Sequence, residues 1–246
     1  ESVHDHLNDY LRKPFTAVNA LGHNVSYHNL YHPNDTKDIQ AYLLSAFKDL
    51  YHSIPQLDVI AFGSESGDFT GFRREAGDSY TLMVQDHRTD GNLVIYGSED
   101  VSDDIRTVIA PYDPRTRPWY KDAMATNGLI VTEPYQDFDG SIVVSIAKAF
   151  SGQKRGVLAA DLTVTNIIKE VLNLRLDNNG FAFLVDGQNN IVAYQDEKLS
   201  QKPLTNLNPA LTASQVAELT RQSSITTVDW PAKNEQLVYL ASVPNT

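Results

Sequence analysis

The chain has 246 residues, room for one or two domains, and with 41% hydrophobic and 21% charged residues a packed core is expected and wholesale disorder is not. Its formal net charge of -11, from 20 Lys and Arg against 31 Asp and Glu, argues against nucleic acid or an anionic membrane surface as the main partner. It has no cysteine, which removes disulfides, thiolate metal sites and cysteine nucleophiles together.

No apolar run reaches the ~18 residues that a membrane-spanning helix requires. The chain begins at Glu1 rather than Met and carries no basic-then-apolar leader, so it is expected to be a fragment or a processed product of a longer protein.

Val3, Leu7, Leu11, Phe15, Val18, Leu21 or Gly22, and Val25 recur every three or four residues and predict a long first helix. Pro14 falls inside that pattern and either kinks the helix or divides it. Asn34 or Asp35 can cap a second helix, whose apolar face is Ile39, Tyr42, Leu43, Ala46, Phe47 and Leu50, and Pro55 marks its end. The period then changes. Leu57–Phe62, Phe69–Phe72, Tyr80–Val84 and Leu93–Tyr96 read as strands, the last two flanking a turn at Asp90-Gly91-Asn92. Ile142–Phe150 and Gly156–Leu162 are further strands around Ser151–Arg155, and Thr163–Leu174 reads as a helix. A second strand set follows: Phe181–Val185 and Ile191–Tyr194 around the turn 186–190, a helix from about Thr212 to Gln222, then Ile225–Trp230 and Gln236–Ser242. The pattern is α+β: a long N-terminal helix followed by two antiparallel-sheet modules, with the boundary near residue 173.

Catalytic signatures are missing from the sequence. Gly63-Ser64-Glu65-Ser66-Gly67 has Glu where a nucleophile elbow needs Ser. No phosphate-binding glycine loop and no His-Glu-x-x-His motif occurs. His28 and His32 are four apart and would share a helix face, but no third metal ligand accompanies them, and His4 and His6 are weaker candidates still. Asp137 and Asp139 imitate only the start of a calcium loop, and Asp139-Gly140 reads better as a hairpin turn. No catalytic residue, metal or cofactor is assigned.

The stretch from Tyr112 to Tyr120 packs two arginines, two prolines and three aromatics into nine residues. The prolines lower the entropy of ordering it, and Pro118 suits the first turn of a helix. A free amino acid needs a guanidinium fork and nearby donors for its carboxylate, which Arg117, Trp119 and Tyr112 offer. Its ammonium needs carboxylates and aromatic faces, which Tyr135, Asp137 and Asp161 offer. Asp161 closes an otherwise apolar strand, a place where a carboxylate needs a reason. The same residues also read as an Arg–Asp ion pair among core aromatics.

On Asp113-Pro114-Arg115-Thr116-Arg117-Pro118-Trp119-Tyr120, Thr132-Glu133-Pro134-Tyr135-Gln136-Asp137, Val144–Lys148, Gly156–Leu162 and Phe183–Gly187 the chain resembles the double Cache sensor domains of bacterial chemoreceptors, in their amino-acid-sensing branch. The resemblance implies a PAS-like sheet in each module, with a helix over 1–34, a membrane-distal ligand-binding module over 35–172 and a membrane-proximal module over 173–246. It implies that Arg117, Trp119 and Tyr112 hold the carboxylate of a free L-amino acid, or of a close analogue such as taurine. Tyr135, Asp137 and Asp161 would hold the ammonium, and Tyr120 and Ser145 would complete the pocket wall. The ligand's side chain would meet a wall drawn from Ser79–Val84, Leu93–Tyr96 and Ser145. The expected protein is a periplasmic sensor of an inner-membrane receptor with cytoplasmic signalling partners, without a cofactor. It would dimerise through the N-terminal helix, along Leu7, Leu11 and Val18, and close its pocket between Arg117 and Asp161. Three alternatives remain open at this point: the same sensor on a histidine kinase or cyclic-dinucleotide enzyme, an amine or organic-acid ligand, and a secreted amino-acid or peptide hydrolase.

Overall fold

Helix α1 (Val3–Tyr27) runs unbroken through Pro14. Proline at that position supplies no N–H for the carbonyl of Tyr10, one turn earlier. The side chain of Gln56, itself buried, donates to that carbonyl at 2.6 Å, so the orphaned acceptor is satisfied from outside the helix. The structure, a computed structural model, describes residues 3–150, 155–173, 181–185, 191–193, 198, 202–203, 226–229 and 237–243. The turn at 186–190, the helix expected from Thr212 to Gln222, and the side chains of Val3, Leu7 and Leu11 lie outside that set.

Helix α1 departs from its expected form in three respects. The helix stops at Tyr27 rather than near 34, because Asn29 and then Asn34 adopt the left-handed conformation that ends helical hydrogen bonding. His28 and His32 therefore do not share a helix face. Val18 is fully buried against the chain's own sheet and is not part of an outward stripe; Thr16, Asn19, Ala20, His23 and Tyr27 are among the exposed positions of the same helix. Helix α2 (Lys37–Leu50) starts after Thr36, one or two residues later than the expected caps, and Asp35 instead accepts from the Lys37 N–H. Its buried face is Ile39, Leu43 and Phe47, as the periodicity predicts.

The strands that follow are β1 (Val59–Ser64), β2 (Phe69–Glu75), β3 (Ser79–Gln85), β4 (Leu93–Tyr96), β5 (Ile105–Ile109), β6 (Leu129–Val131), β7 (Tyr135–Gln136), β8 (Ile142–Phe150) and β9 (Gly156–Thr163). They form one antiparallel sheet in the order β5-β4-β3-β2-β1-β9-β8-β6, with β7 paired to the start of β8. Strand β5 is an exposed edge and β6 and β7 are two or three residues long, so none of the three carries a period-two burial signal in the sequence.

Strand β1 is buried along its whole length because both faces of the sheet are covered. Ile60, Phe62, Phe72, Leu82, Leu158 and Ala160 point into a core roofed by α1 and α2. Val59, Ala61, Phe69, Met83, Val157 and Ala159 point the other way, under helix α3 (Pro118–Thr126) and the loop that precedes it. Helix α4 (Val164–Asn173) leaves the end of β9, and its amphipathic pattern matches the expected Thr163–Leu174 closely. Strands β10 (Phe181–Val185), β11 (Ile191–Ala193), β12 (Thr226–Asp229) and β13 (Leu237–Val243) form a second antiparallel sheet in the order β11-β10-β13-β12.

Candidate functional site

One rung of the large sheet carries most of the polar chemistry. Thr81 on β3 pairs with Arg73 on β2, Arg73 with Val59 on β1, Val59 with Asp161 on β9, and Asp161 with Ser145 on β8. Paired residues in adjacent strands project from the same face, so these five side chains stand in a row on the face covered by α3. The next rung on that face is made of small or apolar residues, among them Met83, Gly71, Ala61, Ala159 and Ala147.

Ser145 is fully buried and its hydroxyl donates to Asp161 Oδ1 at 2.5 Å. The Tyr135 hydroxyl lies 2.6 Å from the Ser145 oxygen. Asp137 follows two residues later, with a largely buried side chain. Its place is set by the β7–β8 hairpin: Asp137 N–H donates to Ser141 O, Gly140 N–H donates to Asp137 O, and Gly140 has the positive φ that this turn needs.

Arg117 is the residue before α3, with Pro118 opening the helix as its sequence position predicts. Its guanidinium donates to Gln136 O at 2.9 Å, lies 3.6 Å from Asp137 Oδ1 and stands 5.5 Å from the centre of the Tyr135 ring. The loop holding it is itself anchored. Asp113 accepts from the Arg115 backbone and takes its guanidinium at 2.9 and 2.8 Å, while Arg115 also reaches Glu65 O.

Trp119 and Tyr112 are buried on this face, each in ring contact with Phe69. Gly63 makes room for the indole: a Cβ there would lie 2.6 Å from Trp119 Cη2. Tyr120 is buried beside Trp119, but the charges that act on its hydroxyl are Glu65, Arg115, Arg155 and Asp113, at the opposite end of the strands. The structure thus gathers Arg117, Tyr135, Asp137, Ser145 and Asp161, places Tyr112 and Trp119 next to them, and directs Tyr120 elsewhere.

Charge in the cluster is unevenly matched. Asp137 has Arg117 beside it and Arg73 at 3.8 Å, and Asp139 has Arg73 at 2.9 Å. Among the described residues no cation lies within ion-pair distance of Asp161. Burial first, then the neighbouring charges of Asp137 and Asp58, raise its carboxyl to about 8, against the opposing pull of the Ser145 hydroxyl and of Arg73. Burial also raises Asp137, reinforced by Asp139 and opposed by the Phe138 N–H and the two arginines. Tyr112 and Tyr135 are held well above the ordinary phenol value by burial, with Asp137 and Asp161 adding to it, so both keep their protons.

A cavity of about 160 Å³ opens at the Asp161 end of the rung, lined by Asp161, Asp137, Asp139, Arg73, Val59 and Ser141 among others. Arg117 is not in its lining; Asp137 separates the two. Asp58, Arg73, Arg74 and Asp139 are the charged members of the lining not assigned from the sequence. The trace of Arg73 in the sequence is a charged pair, Arg73-Arg74, ending an otherwise buried strand, but only the register puts it level with Asp161. No group of three or more side chains suited to a metal ion occurs among the described residues.

The family pattern described as a Cache domain, of the double Cache type, matches residues 1–246. Among curated proteins, the chain is 34% identical over 156 residues to the methyl-accepting chemotaxis protein McpG of Pseudomonas putida, covering 61% of this chain and 25% of that one. It spans a quarter or less of the length of the curated relatives it matches. Among solved structures, it is similar to the ligand-binding domain of the Pseudomonas aeruginosa amino-acid chemoreceptor PctC in complex with GABA, with a TM-score of 0.64, 22% identity, and 98% and 94% of the two chains covered. The ligand-binding domain of the Pseudomonas fluorescens chemoreceptor CtaA in complex with L-isoleucine gives a TM-score of 0.63 at 19% identity, over 99% and 87%.

Proposed function

The chain belongs to the Cache domain family over its whole length, and we propose that it is the extracytoplasmic ligand-binding region of a transmembrane chemoreceptor that binds free L-amino acids. The observation that carries this is the carboxyl of Asp161, buried without an ion-pair partner among the described residues beside Asp137 and Asp139, which both have one. Such a group is completed by an ammonium ion. Arg117, tied by a single hydrogen bond and a loose ion pair, has donors left for a carboxylate. One ammonium and one carboxylate held a few ångströms apart describe an amino acid. The similarity to chemotaxis proteins, and the L-isoleucine and GABA bound in the similar structures, support the same reading.

Arg117, Trp119 and Tyr112 hold the ligand carboxylate in this reading, and Tyr135, Asp137 and Asp161 its ammonium, with Ser145 orienting Asp161. The sheet of β1–β9 is the membrane-distal module over 35–172, and the strands after α4 belong to the membrane-proximal module over 173–246. The sensor faces the periplasm, pairs with a second copy along α1, and passes its signal to cytoplasmic partners. It binds its ligand without turning it over.

Ligand can shift such a receptor only by its differential affinity for two conformations. The ligand carboxylate competes with Gln136 O and Asp137 for Arg117, while the ammonium pulls Asp161 and Asp137 together. The β7–β8 hairpin carries Gln136 and Asp137, so it is the element that must respond.

The test is a thermal-shift screen of the chain against free amino acids, taurine, polyamines and small organic acids. A ligand at about 100 times its Kd stabilises by about 2.7 kcal/mol. Stabilisation by L-amino acids that is lost in both Arg117→Ala and Asp161→Ala is expected. A shift with a dicarboxylate that survives Asp161→Ala would replace the amino-acid reading with an organic-acid one.

A further inference from the structure

We propose that Arg73 is a specificity-determining residue of this site, and that it selects ligands whose side chain ends in an oxygen acceptor, a carboxylate or a carboxamide. The proposal rests on the amino-acid reading above. Arg73 stands on the same rung as Asp161 with only β1 between them, so their backbones are about 10 Å apart. Both line the same cavity, and Arg117 does not. A ligand whose ammonium meets Asp161 and whose carboxylate meets Arg117 can extend its remaining atoms into that cavity. Two guanidinium groups line it; that of Arg74 donates to Pro55 O and lies against the rings of Phe47 and Tyr51, on the opposite face of the sheet, so the one on the face of Asp161 belongs to Arg73.

The fork of Arg73 is only partly engaged. Nη1 is 2.9 Å from Asp139 Oδ2, whereas Nη2 is 3.8 Å from Asp137 Oδ2, beyond hydrogen-bond range. Its flat face lies 5.1 Å from the centre of the Phe138 ring, which fixes the plane of the group without using its donors. A guanidinium in a confined cavity with donors to spare favours a planar oxygen acceptor over a methyl group. An alkyl end would cover those donors and give nothing back.

The experiment measures binding of glutamine, glutamate and norvaline to the chain by calorimetry, in the wild type, Arg73→Met and Asp139→Asn. In the wild type, glutamine or glutamate is expected to bind at least about tenfold more tightly than norvaline, a factor within the range of one charge-assisted hydrogen bond. The two polar ligands together show whether the amide or the acid is preferred. Arg73→Met should erase the advantage and leave norvaline within about twofold of the wild type. Asp139→Asn removes the ion pair but keeps the guanidinium, and should preserve the advantage. Norvaline binding as tightly as glutamine and glutamate in the wild type overturns the proposal and leaves the amino-acid reading standing. An equal loss for all three ligands in Arg73→Met also overturns it, because Arg73 would then act by holding the hairpin. Failure of every free amino acid to bind the wild type removes the amino-acid reading itself, and this proposal with it.

Discussion

Ser145 and Asp161 face each other across the β8–β9 ladder, and the Ser145 hydroxyl gives its one proton to Asp161. The direction of the next bond follows. With its proton committed, the Ser145 oxygen can only accept from Tyr135, 2.6 Å away. The phenol, the hydroxyl and the carboxyl thus form an oriented chain that ends on Asp161, which has no cation within ion-pair distance among the described residues. Burial holds the Tyr135 proton in place, so the polarity of the chain is fixed from the tyrosine towards Asp161.

Amino-acid binding is expected to strengthen as pH rises from about 6 to about 8, by up to about tenfold per unit. In the free protein Asp161 keeps its proton until about 8, and an ammonium ion favours the ionised form, so binding releases a proton. Calorimetry in buffers of different ionisation enthalpy reads that proton directly. Heats that do not depend on the buffer at neutral pH would show that Asp161 is already ionised. For the ligand-free protein the sign is opposite. A carboxyl raised on folding favours the folded state fully below its unfolded value of about 4, and that contribution is lost as pH climbs to about 8.

Asp161→Asn should therefore separate stability from binding. The amide resembles the neutral acid but does not titrate, so the variant's melting temperature should match the wild type's below about pH 4 and exceed it increasingly from there to about pH 8. Ligand affinity should fall by about tenfold to a hundredfold, the loss of one charge-assisted contact of about 1.5–3 kcal/mol. A large drop in ligand-free stability at neutral pH would contradict a protonated Asp161.

Gly63→Ala tests the seat of Trp119. The added methyl would sit 2.6 Å from Trp119 Cη2 and 3.1 Å from Pro114 Cβ, so the indole or the loop carrying Arg117 must move. Overpacking of this kind is expected to cost about 1–3 kcal/mol in stability. Affinity for the ligand carboxylate should weaken with it, measured by denaturant melts and ligand titration on the same variant.

Pro14 and Gln56 should behave as a coupled pair. Gln56→Ala leaves the Tyr10 carbonyl without its donor, at about 1–3 kcal/mol. Pro14→Ala restores an N–H at the position that faces that carbonyl, so the double variant should recover most of the loss. Additive effects in a double-mutant cycle would mean that water already serves the carbonyl.

Much of the fold was legible because the signals are local. The three-to-four-residue recurrence around Phe15, Val18 and Leu21 gave α1, and the buried stripe Ile39, Leu43 and Phe47 gave α2. The runs now seen as β3, β4, β8, β9 and β10 stood out by their apolar and β-branched residues. Pro118 marked the start of α3, and Asp139-Gly140 marked its turn. Arg117, Asp137 and Asp161 were recoverable because a guanidinium beside prolines and aromatics, and a carboxylate ending an apolar strand, are costly unless something answers them.

The sequence by itself determined most of the elements, though not the short or exposed strands β5, β6 and β7, and which charges have to be buried. Only the tertiary structure decided which of those charges meet. Whether Arg73 is level with Asp161 depends on the pairing of β2 with β1 and of β1 with β9, strands more than ninety residues apart in the chain. A slip of one residue in either ladder would turn Arg73 to the opposite face. The same holds for Tyr120, which shares the dense stretch with Arg117 but projects towards Glu65, and for Val18, whose stripe proved to face the sheet. Periodicity fixes the face of an element, but the neighbour of that face is set by packing between segments distant in sequence.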